Sequence, residues 1–415
     1  MDIKVIPSKL KGTVNAPSSK SYSHRMIIAA ALAGGVSEVS NVTDSKDISV
    51  TSSAMEALGA DIIKDNGTYT VKGISSPAEK ADIDCGESGS TMRFIIPIAA
   101  ALGTQTRFTG SGKLPHRPIA PYFREFRKKG LEMTLESGDE KLDSLPLSIS
   151  GKLRAGEYFL EGDVSSQFIT GLMFALPLCE EDSVIKLTSS LQSKPYADMT
   201  IAALKKFGVN IFETSSDGLP MYLIKGSQKY KPCKVSVEGD YSQAAFFYVA
   251  NALGSEITIN NLEKNTAQGD SAIVDIINIC GKEMNPFTVD VGDIPDLVPI
   301  LAVLGSFTKG TSRIVNAARL KIKESDRLTA VASALNAIGG KVTAGEDFLE
   351  MQHVDRFTGG EVDSCNDHRI VMSAAIAALS SEAPVIIKGA QAVEKSYPRF
   401  FEDFKTLGGQ FEILY

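Results

Sequence analysis

Several features that mark common protein classes are missing from this sequence of 415 residues. No apolar run approaches the roughly 20 residues that cross a bilayer, which argues against a membrane-spanning helix. The five cysteines are scattered and odd in number, with no Cys-x-x-Cys pair, a pattern that argues against a disulfide framework and favours a reducing compartment. No histidine has a second histidine, cysteine or carboxylate at metal-ligand spacing, so we expect no metal site.

The charge balance also excludes some partners. A net charge of −7 gives no broad attraction to nucleic acid or to a membrane surface, so neither is expected to bind. The first residues lack the basic and apolar segments of a signal peptide, so a cytoplasmic location is expected. Basic residues nevertheless occur inside Gly/Ser-rich motifs, which a small, multiply anionic substrate would explain. Ordinary surface salt bridges would explain any one of them.

A repeated pattern predicts the architecture. Six helical stretches each end at a glycine that is followed by a short β-like run; the glycines are Gly59, Gly130, Gly208, Gly281, Gly339 and Gly408. A helix C-terminus often needs a residue with positive φ, which glycine adopts without strain. Because a chain of this length is too long for one ordinary core, we expect an α/β (α+β) protein in which six such units form two domains.

A second type of helix is predicted between these glycines. Five stretches are apolar on nearly every side and should form buried helices; they are residues 94–102, 168–178, 244–253, 297–304 and 370–379. The amphipathic helices of the repeats, such as residues 198–207, should lie outside. Each unit would then contain one buried and one exposed helix.

The repeat also predicts where the domains divide. The sixth unit ends at residues 411–414 with no strand left to complete it, and residues 3–6 could supply one. Residues 1–18 and 238–415 would then form a C-terminal domain completed by the N-terminal strand, and residues 19–237 an N-terminal domain. The chain would cross twice, near 16–19 and near 237–240, and such a double crossing predicts a hinge. Residues 235–242 are expected to open the fourth unit as a strand, a turn and a capped helix.

Residues 16–25 lead directly into a further apolar segment, residues 26–32, and they combine a proline, several serines, Lys20 and Arg25. The first N–H groups of a helix are unpaired and carry partial positive charge, so this end suits a phosphate or carboxylate. The alternative is a capped surface helix with two solvated cations. The loop from Gly86 to Arg93 repeats the design and is either an anion site or a structural turn; it is not a Walker A loop, because the pattern Gly-x-x-x-x-Gly-Lys-Ser/Thr is absent.

Acid and base candidates lie in the second half of the chain. Asp296 begins a buried helix and Glu324 stands among cations; a carboxylate in such surroundings stays ionised and suits proton transfer. A salt-bridged helix start is the alternative. No single motif decides the function, but polar or cationic helix starts recur in both halves of the chain.

Taken in order, these motifs resemble the 5-enolpyruvylshikimate-3-phosphate (EPSP) synthase family over essentially the full length. The matching segments are Lys20 to Arg25, Gly89 to Arg93, Arg117-Pro118, Ser165-Ser166-Gln167, Ser193 to Tyr196, Ile294-Pro295-Asp296, Lys323 to Arg327, Asp367-His368-Arg369 and Lys395. The resemblance implies the two-domain enolpyruvyl-transferase fold, with three βαβαββ units in each domain that close around the substrates.

The resemblance also implies a reaction of the shikimate pathway, which leads to the aromatic amino acids. The enolpyruvyl group of phosphoenolpyruvate is transferred to the 5-hydroxyl of shikimate 3-phosphate through a tetrahedral intermediate, and phosphate is released. These two small molecules are the implied partners. No metal or organic cofactor is implied, the chain is expected to be a monomer, and glyphosate is the family's phosphoenolpyruvate-like inhibitor.

Site residues follow from the resemblance, position by position. For shikimate 3-phosphate it implies Ser21, Arg25, Ser165, Ser166, Gln167, Ser193, Tyr196, Asp296 and Lys323. For phosphoenolpyruvate it implies Lys20, Gly89, Arg93, Arg117, Gln167, Arg327, His368, Arg369 and Lys395. The implied catalytic residues are Asp296, Glu324 and Lys20. Lys20 would stabilise the leaving phosphate, and which carboxylate acts as acid or base in each step stays open.

Two positions depart from well-known members of the family, which carry asparagine where this chain has Glu87 and Arg319. Glu87 could repel phosphoenolpyruvate unless a cation such as Arg319 pairs with it. One competing interpretation is the sister enzyme that acts on UDP-N-acetylglucosamine, but the loop at residues 111–116 lacks that enzyme's reactive cysteine. Another is a non-catalytic repeat protein that binds phosphosugars or RNA ends.

Overall fold

The computed structural model describes residues 1–136 and 145–414, apart from the side chain of Ile322. The chain separates into two compact units. Met1–Pro17 and Gly239–Tyr415 form one, called here the C-terminal unit, and Ser18–Glu238 form the other, the N-terminal unit. These limits differ by one residue at each crossing from those expected from the sequence.

Helices and strands alternate through both units. The helices are α1 Lys20–Leu32, α2 Lys46–Ala57, α3 Gly89–Leu102, α4 Ala120–Lys128, α5 Ser166–Ala175, α6 Lys194–Lys206, α7 Tyr241–Ala252, α8 Ala272–Cys280, α9 Val298–Ser306, α10 Arg327–Ala337, α11 His368–Ala378 and α12 Phe400–Thr406. The strands are β1 Asp2–Ile6, β2 Lys11–Asn15, β3 Val36–Ser40, β4 Asp61–Asp65, β5 Thr68–Lys72, β6 Lys80–Asp84, β7 Gln105–Thr109, β8 Glu132–Leu135, β9 Leu147–Ser150, β10 Glu157–Leu160, β11 Ser183–Leu187, β12 Ile211–Ser216, β13 Leu219–Ile224, β14 Lys234–Ser236, β15 Glu256–Asn260, β16 Thr288–Asp290, β17 Thr311–Val315, β18 Val342–Ala344, β19 Leu349–Gln352, β20 Gly360–Asp363, β21 Val385–Lys388 and β22 Gln410–Leu414.

The N-terminal unit contains three sheets of one topology. Their strand orders are β14-β3-β5-β4, β6-β7-β9-β8 and β10-β11-β13-β12. In each, the first pair is parallel and the other two pairs are antiparallel. The sequence expectation for residues 235–242 is wrong in one respect, because the strand Lys234–Ser236 pairs with β3 and completes the first repeat instead of opening the fourth.

The C-terminal unit follows the same plan with one reduced repeat. Two sheets, β16-β17-β19-β18 and β20-β21-β1-β22, have the four-stranded topology, whereas β2 and β15 form a parallel pair alone. The β-like run expected after Gly281 is absent from the described residues, since that segment forms turns and Met284 has a φ of 54°. The strand β1 lies between β21 and β22, with Ile3 opposite both Ile387 and Ile413.

The two predicted helix types are present. All six glycines that follow the outer helices have positive φ, between 57° and 114°, as a helix C-terminus requires. The five apolar stretches fall in α3, α5, α7, α9 and α11, whose residues are almost all buried. Alternation of buried and exposed residues along strands such as β1 turns one sheet face to the core. The α/β expectation is therefore confirmed.

Candidate functional site

The start of α1 is buried and not a surface cap. Ser19 is the N-cap and its hydroxyl accepts a hydrogen bond from the Tyr22 backbone N–H, which satisfies one of the unpaired donors of the first turn. Residues 22–31 are all buried. The alternative of a capped surface helix is therefore wrong, since Ser23, His24 and Arg25 lie inside the N-terminal unit.

Arg25 is a buried cation with neutral partners. Its side chain donates to Thr200 Oγ1 at 2.9 Å, to the Ser21 carbonyl at 2.7 Å and to the Tyr196 carbonyl at 2.9 Å. Within the described residues, no carboxylate pairs with it. Burial lowers the pKa of Arg25 to about 10, so the group stays charged at neutral pH. A buried charge without a counter-ion is costly, which favours an anion at this position.

A second group of side chains meets at the start of α3. Arg93 is 2% exposed; its Nη1 donates to Gln167 Oε1 at 2.6 Å, and its Nε and Nη2 donate to the Pro118 carbonyl. Arg117 borders the same point, since a Cβ added to Gly89 would lie 2.6 Å from Arg117 Nη1. Glycine at this position leaves the space that the guanidinium fills.

Other predicted residues of this unit lie at the starts of three helices. Lys20, in the first turn of α1, pairs with Asp47 of α2 at 3.1 Å. The Ser165 hydroxyl caps α5 by accepting from the Gln167 N–H, and Ser166 is buried beside it. Ser193, at the N-cap of α6, has a left-handed φ of 61°. Its helix carries Tyr196, whose carbonyl accepts a hydrogen bond from Arg25.

In the C-terminal unit, Arg327 binds three carboxylates. Its Nε donates to Asp367 Oδ2 at 2.8 Å, its Nη1 to Asp296 Oδ1 at 2.9 Å and its Nη2 to Glu324 Oε2 at 2.7 Å. The side chains of Arg327 and Asp367 are 1% and 0% exposed. Burial disfavours the charged guanidinium, but the charges of Asp367, Glu324 and Asp296 outweigh burial and raise the pKa of Arg327 well above its usual value.

Asp296 lies among three cations. Besides Arg327, Arg369 Nη2 donates to its Oδ2 at 2.9 Å, and Lys323 Nζ lies 4.0 Å from its Oδ1. Burial alone would raise the pKa of Asp296, but the charges of Arg369, Lys323 and Arg327 outweigh it and lower that pKa strongly. Burial also lowers the pKa of Lys323 to about 8. The predicted pair, Asp296 and Glu324, thus shares one guanidinium, and Asp296 is ionised.

The remaining predicted residues adjoin the start of α11. Asp367 caps this helix by accepting from the Arg369 N–H at 3.0 Å. His368 is 1% exposed, and Lys395 Nζ donates to the Asn366 carbonyl at 2.7 Å. The predicted residues of the C-terminal unit therefore belong to one cluster around Asp296, Arg327 and the α11 start.

The two departures from the family pattern have neighbours in their own units. The Glu87 side chain lies beside Gly112, where an added Cβ would be 2.7 Å from its Cδ. Arg319 Nη2 donates to the Gly292 carbonyl at 3.0 Å. The pairing of Glu87 with Arg319 stays a prediction.

Sequence reasoning missed several partners of these groups. Asp47 pairs with Lys20, and Asp367 pairs with Arg327. In a sequence, an acidic residue at a helix start is normally interpreted as a cap or as a favourable charge for the helix dipole, so these pairings were not predicted. Thr200 and Ser242 bind Arg25 and Arg369 and carry no distinguishing signal. Across the described residues, no group of three or more histidine, cysteine or carboxylate side chains is placed to hold a metal ion.

Comparison with known proteins decides the family. Residues 5–404 match the sequence profile described as EPSP synthase (3-phosphoshikimate 1-carboxyvinyltransferase). The 3-phosphoshikimate 1-carboxyvinyltransferase of Clostridium kluyveri is 46% identical over 427 aligned positions, which cover 99% of this chain and 98% of that protein. The chain belongs to the EPSP synthase family. The enzyme of the same name from Clostridioides difficile is 41% identical, covering 99% of this chain and 98% of the relative.

Solved structures support the EPSP synthase fold. The chain matches the EPSP synthase from Acinetobacter baumannii with a TM-score of 0.83 at 24% identity, covering 100% of both chains. It matches the enolpyruvyl transferase NikO from Streptomyces tendae with a TM-score of 0.79 at 16% identity, covering 99% of this chain and 98% of the other. The family and fold expected from the sequence are confirmed. None of the helices in residues 1–136 and 145–414 is long and apolar enough to cross a bilayer.

Proposed function

We propose that the chain transfers the enolpyruvyl group of phosphoenolpyruvate to the 5-hydroxyl of shikimate 3-phosphate and releases phosphate, with the side chains described above as its working groups. Family membership supports the reaction. The observation that carries the chemistry is the position of Asp296, an ionised carboxylate among three cations. The reaction joins the two substrates, so both must be bound at the same time.

Binding requires cations and hydroxyls, because each substrate carries a phosphate and a carboxylate. For shikimate 3-phosphate we assign Ser21, Arg25, Ser165, Ser166, Gln167, Ser193, Tyr196, Asp296 and Lys323. The buried Arg25, which has neutral partners, supports this assignment. For phosphoenolpyruvate we assign Lys20, Gly89, Arg93, Arg117, Gln167, Arg327, His368, Arg369 and Lys395. The group formed by Gly89, Arg93, Arg117 and Gln167 supports it.

The addition step requires two proton transfers, and the elimination step reverses the one at the carbon. In the addition step, the substrate hydroxyl loses a proton and the vinyl CH₂ gains one; in the elimination step, the new methyl group loses a proton as phosphate departs. Asp296 is deprotonated and suits removal of the hydroxyl proton. Glu324 shares Arg327 with Asp296 and suits the transfer at the methyl carbon. Lys20 would stabilise the departing phosphate.

The reaction itself needs no added electrophile, since protonation of phosphoenolpyruvate generates the reactive carbon. We therefore propose an enzyme that works without a metal or organic cofactor. We also propose that it acts as a cytoplasmic monomer and closes on its first substrate about the two chain crossings. Solution scattering measures the radius of gyration. If this radius does not fall when shikimate 3-phosphate is added, the proposed closure is contradicted.

One assay tests the reaction. Phosphate release from phosphoenolpyruvate should depend on added shikimate 3-phosphate and should not occur with UDP-N-acetylglucosamine. Release only with the UDP-sugar would identify the sister activity, and release with neither would contradict the proposal. Arg25→Met should raise the KM for shikimate 3-phosphate, whereas the matched substitution Arg154→Met, at an exposed arginine of the same unit, should leave it unchanged.

A further inference from the structure

Four buried side chains connect three helices of the N-terminal unit. His24 Nδ1 in α1 lies 2.7 Å from Thr51 Oγ1 in α2, which lies 2.6 Å from Thr91 Oγ1 in α3. Thr91 Oγ1 donates to Oγ of Ser88, the N-cap of α3, at 2.8 Å. None of the four residues is more than 2% exposed. We call these four residues the buried relay.

The hydrogen bonds of the buried relay have one direction. A hydroxyl donates a single hydrogen, so Thr91, which donates to Ser88, accepts from Thr51. Thr51 in turn accepts from an N–H at Nδ1 of His24. Nε2 of His24 has no hydrogen-bond partner within the described residues. Burial, with the charges of Lys20 and Arg25, lowers the pKa of His24 well below its usual value, so the ring is neutral and its Nε2 needs no acceptor.

The two ends of the buried relay lie at the helix starts that carry proposed anion-binding groups. His24 stands one turn after Lys20, and Ser88 and Thr91 flank Gly89, just before Arg93. The intervening helix α2 also holds Lys20 directly, through Asp47, one turn before Thr51. One face of α2 therefore contacts both helix starts.

Arg25 is held differently. Although it follows His24 in α1, its guanidinium is bound by Thr200 and by the Tyr196 carbonyl, both in α6, and by the Ser21 carbonyl of its own helix. The proposed shikimate 3-phosphate residues Ser166 and Ser193 also belong to α5 and to the start of α6. A change in the buried relay should therefore affect the phosphoenolpyruvate groups more than the shikimate 3-phosphate groups.

We propose that His24, Thr51 and Thr91 are positioning residues that fix the start of α1 relative to the start of α3, so that Lys20, Gly89 and Arg93 bind one phosphoenolpyruvate molecule together. This inference rests on the proposed function. It gives α2, which supplies no ligand group in the assignment above, a defined part in the reaction.

Substitutions at Thr51 separate positioning from packing. Thr51→Val keeps the shape and loses the hydroxyl; we expect the KM for phosphoenolpyruvate to rise about fivefold, as a lost buried hydrogen bond would give, and the KM for shikimate 3-phosphate to change less than about twofold. Thr51→Ser keeps the hydroxyl and loses a methyl group, and it should restore the KM. A role in packing alone predicts the reverse order. Thr106→Val, which removes a buried hydroxyl that binds the Thr104 carbonyl, should leave both KM values unchanged.

A double-mutant cycle tests the buried relay without enzyme activity. Thr51 and Thr91 share a hydrogen bond, so the effects of Thr51→Val and Thr91→Val on the denaturation midpoint should be non-additive. The effects of Thr51→Val and Thr106→Val should be additive. Additive effects at Thr51 and Thr91, or equal rises in both KM values, would overturn the inference. A wild-type protein that folds but releases no phosphate would overturn the proposed function, and the positioning role with it.

Discussion

Replacing Gly89 with alanine should weaken phosphoenolpyruvate binding by displacing Arg117. Gly89 opens α3 without a left-handed φ, so alanine fits the backbone, and its helix propensity is higher than that of glycine. The added Cβ would lie 2.6 Å from Nη1, 2.8 Å from Cζ and 3.0 Å from Nη2 of Arg117. Since atoms in van der Waals contact lie about 3.5 Å apart, the guanidinium must retreat by roughly 0.9 Å.

That displacement sets the expected magnitude. A charge-assisted hydrogen bond of about 2.8 Å, lengthened by this amount, leaves the hydrogen-bonding range. Such a bond contributes about 1.5–3 kcal/mol, and about 1.4 kcal/mol corresponds to a tenfold change in affinity. The KM for phosphoenolpyruvate should therefore rise at least about tenfold. The added methyl group also takes space that glyphosate would occupy, so sensitivity to this inhibitor should fall.

Initial rates of phosphate release at varied phosphoenolpyruvate and saturating shikimate 3-phosphate measure the effect. Gly34→Ala is the matched control, because its added Cβ meets no atom within 4 Å and its φ is ordinary. In an Arg117→Ala background, Gly89→Ala should produce no further rise in KM. Any of three results would refute the reasoning. These are a KM of Gly89→Ala within about twofold of wild type, an equally large rise in KM when Gly89→Ala is added to Arg117→Ala, and unchanged inhibition by glyphosate.

Four further predictions concern the C-terminal unit. Asp367→Asn should lower the free energy of unfolding by about 3 kcal/mol, because Arg327 loses a buried partner. Urea denaturation measures this free energy. The control Asp355→Asn, at a fully exposed carboxylate, should change the free energy of unfolding by less than about 0.5 kcal/mol. Asp296→Asn should lower kcat at least about 100-fold, and a fall of less than tenfold would contradict its role in proton transfer. The KM for shikimate 3-phosphate should rise above pH about 8, where the buried Lys323 loses its charge; a flat pH profile through this range would contradict its contact with the substrate. Because the folded state releases this proton before the unfolded state does, Lys323 should also make stability rise above that pH.

The repeats could be predicted because their signals are local. A glycine after a helix with a β-like run behind it depends on a few neighbouring residues, and all six glycines have the expected positive φ. The fourth repeat could not be predicted in full. Its run after Gly281 resembles the others, but a strand also needs a partner, and this repeat has only β2 and β15 in its sheet. Pairing of β14 with β3 likewise depends on residues almost 200 positions apart, as between Lys234 and Glu38.

The same distinction applies to the candidate site. Cations beside serines at helix starts are visible in the sequence, and in the structure Arg93 donates to Gln167 while the Arg117 guanidinium lies beside Gly89. Their supporting side chains are not visible in this way. Thr51 lies in the middle of α2, where a threonine has no special meaning until the helix is packed against α1 and α3. Contacts that depend on tertiary packing can be identified only from the structure.

The position of β1 has a consequence for folding during synthesis. This strand is an inner member of its sheet, and its Lys4 contacts Glu412, a separation of 408 positions. The N-terminal unit, being continuous in sequence, can collapse while the ribosome is still translating. The strand β1 must instead wait for its partners β21 and β22, so the slow step of maturation should be the docking of residues 2–6 between two strands that are synthesised much later.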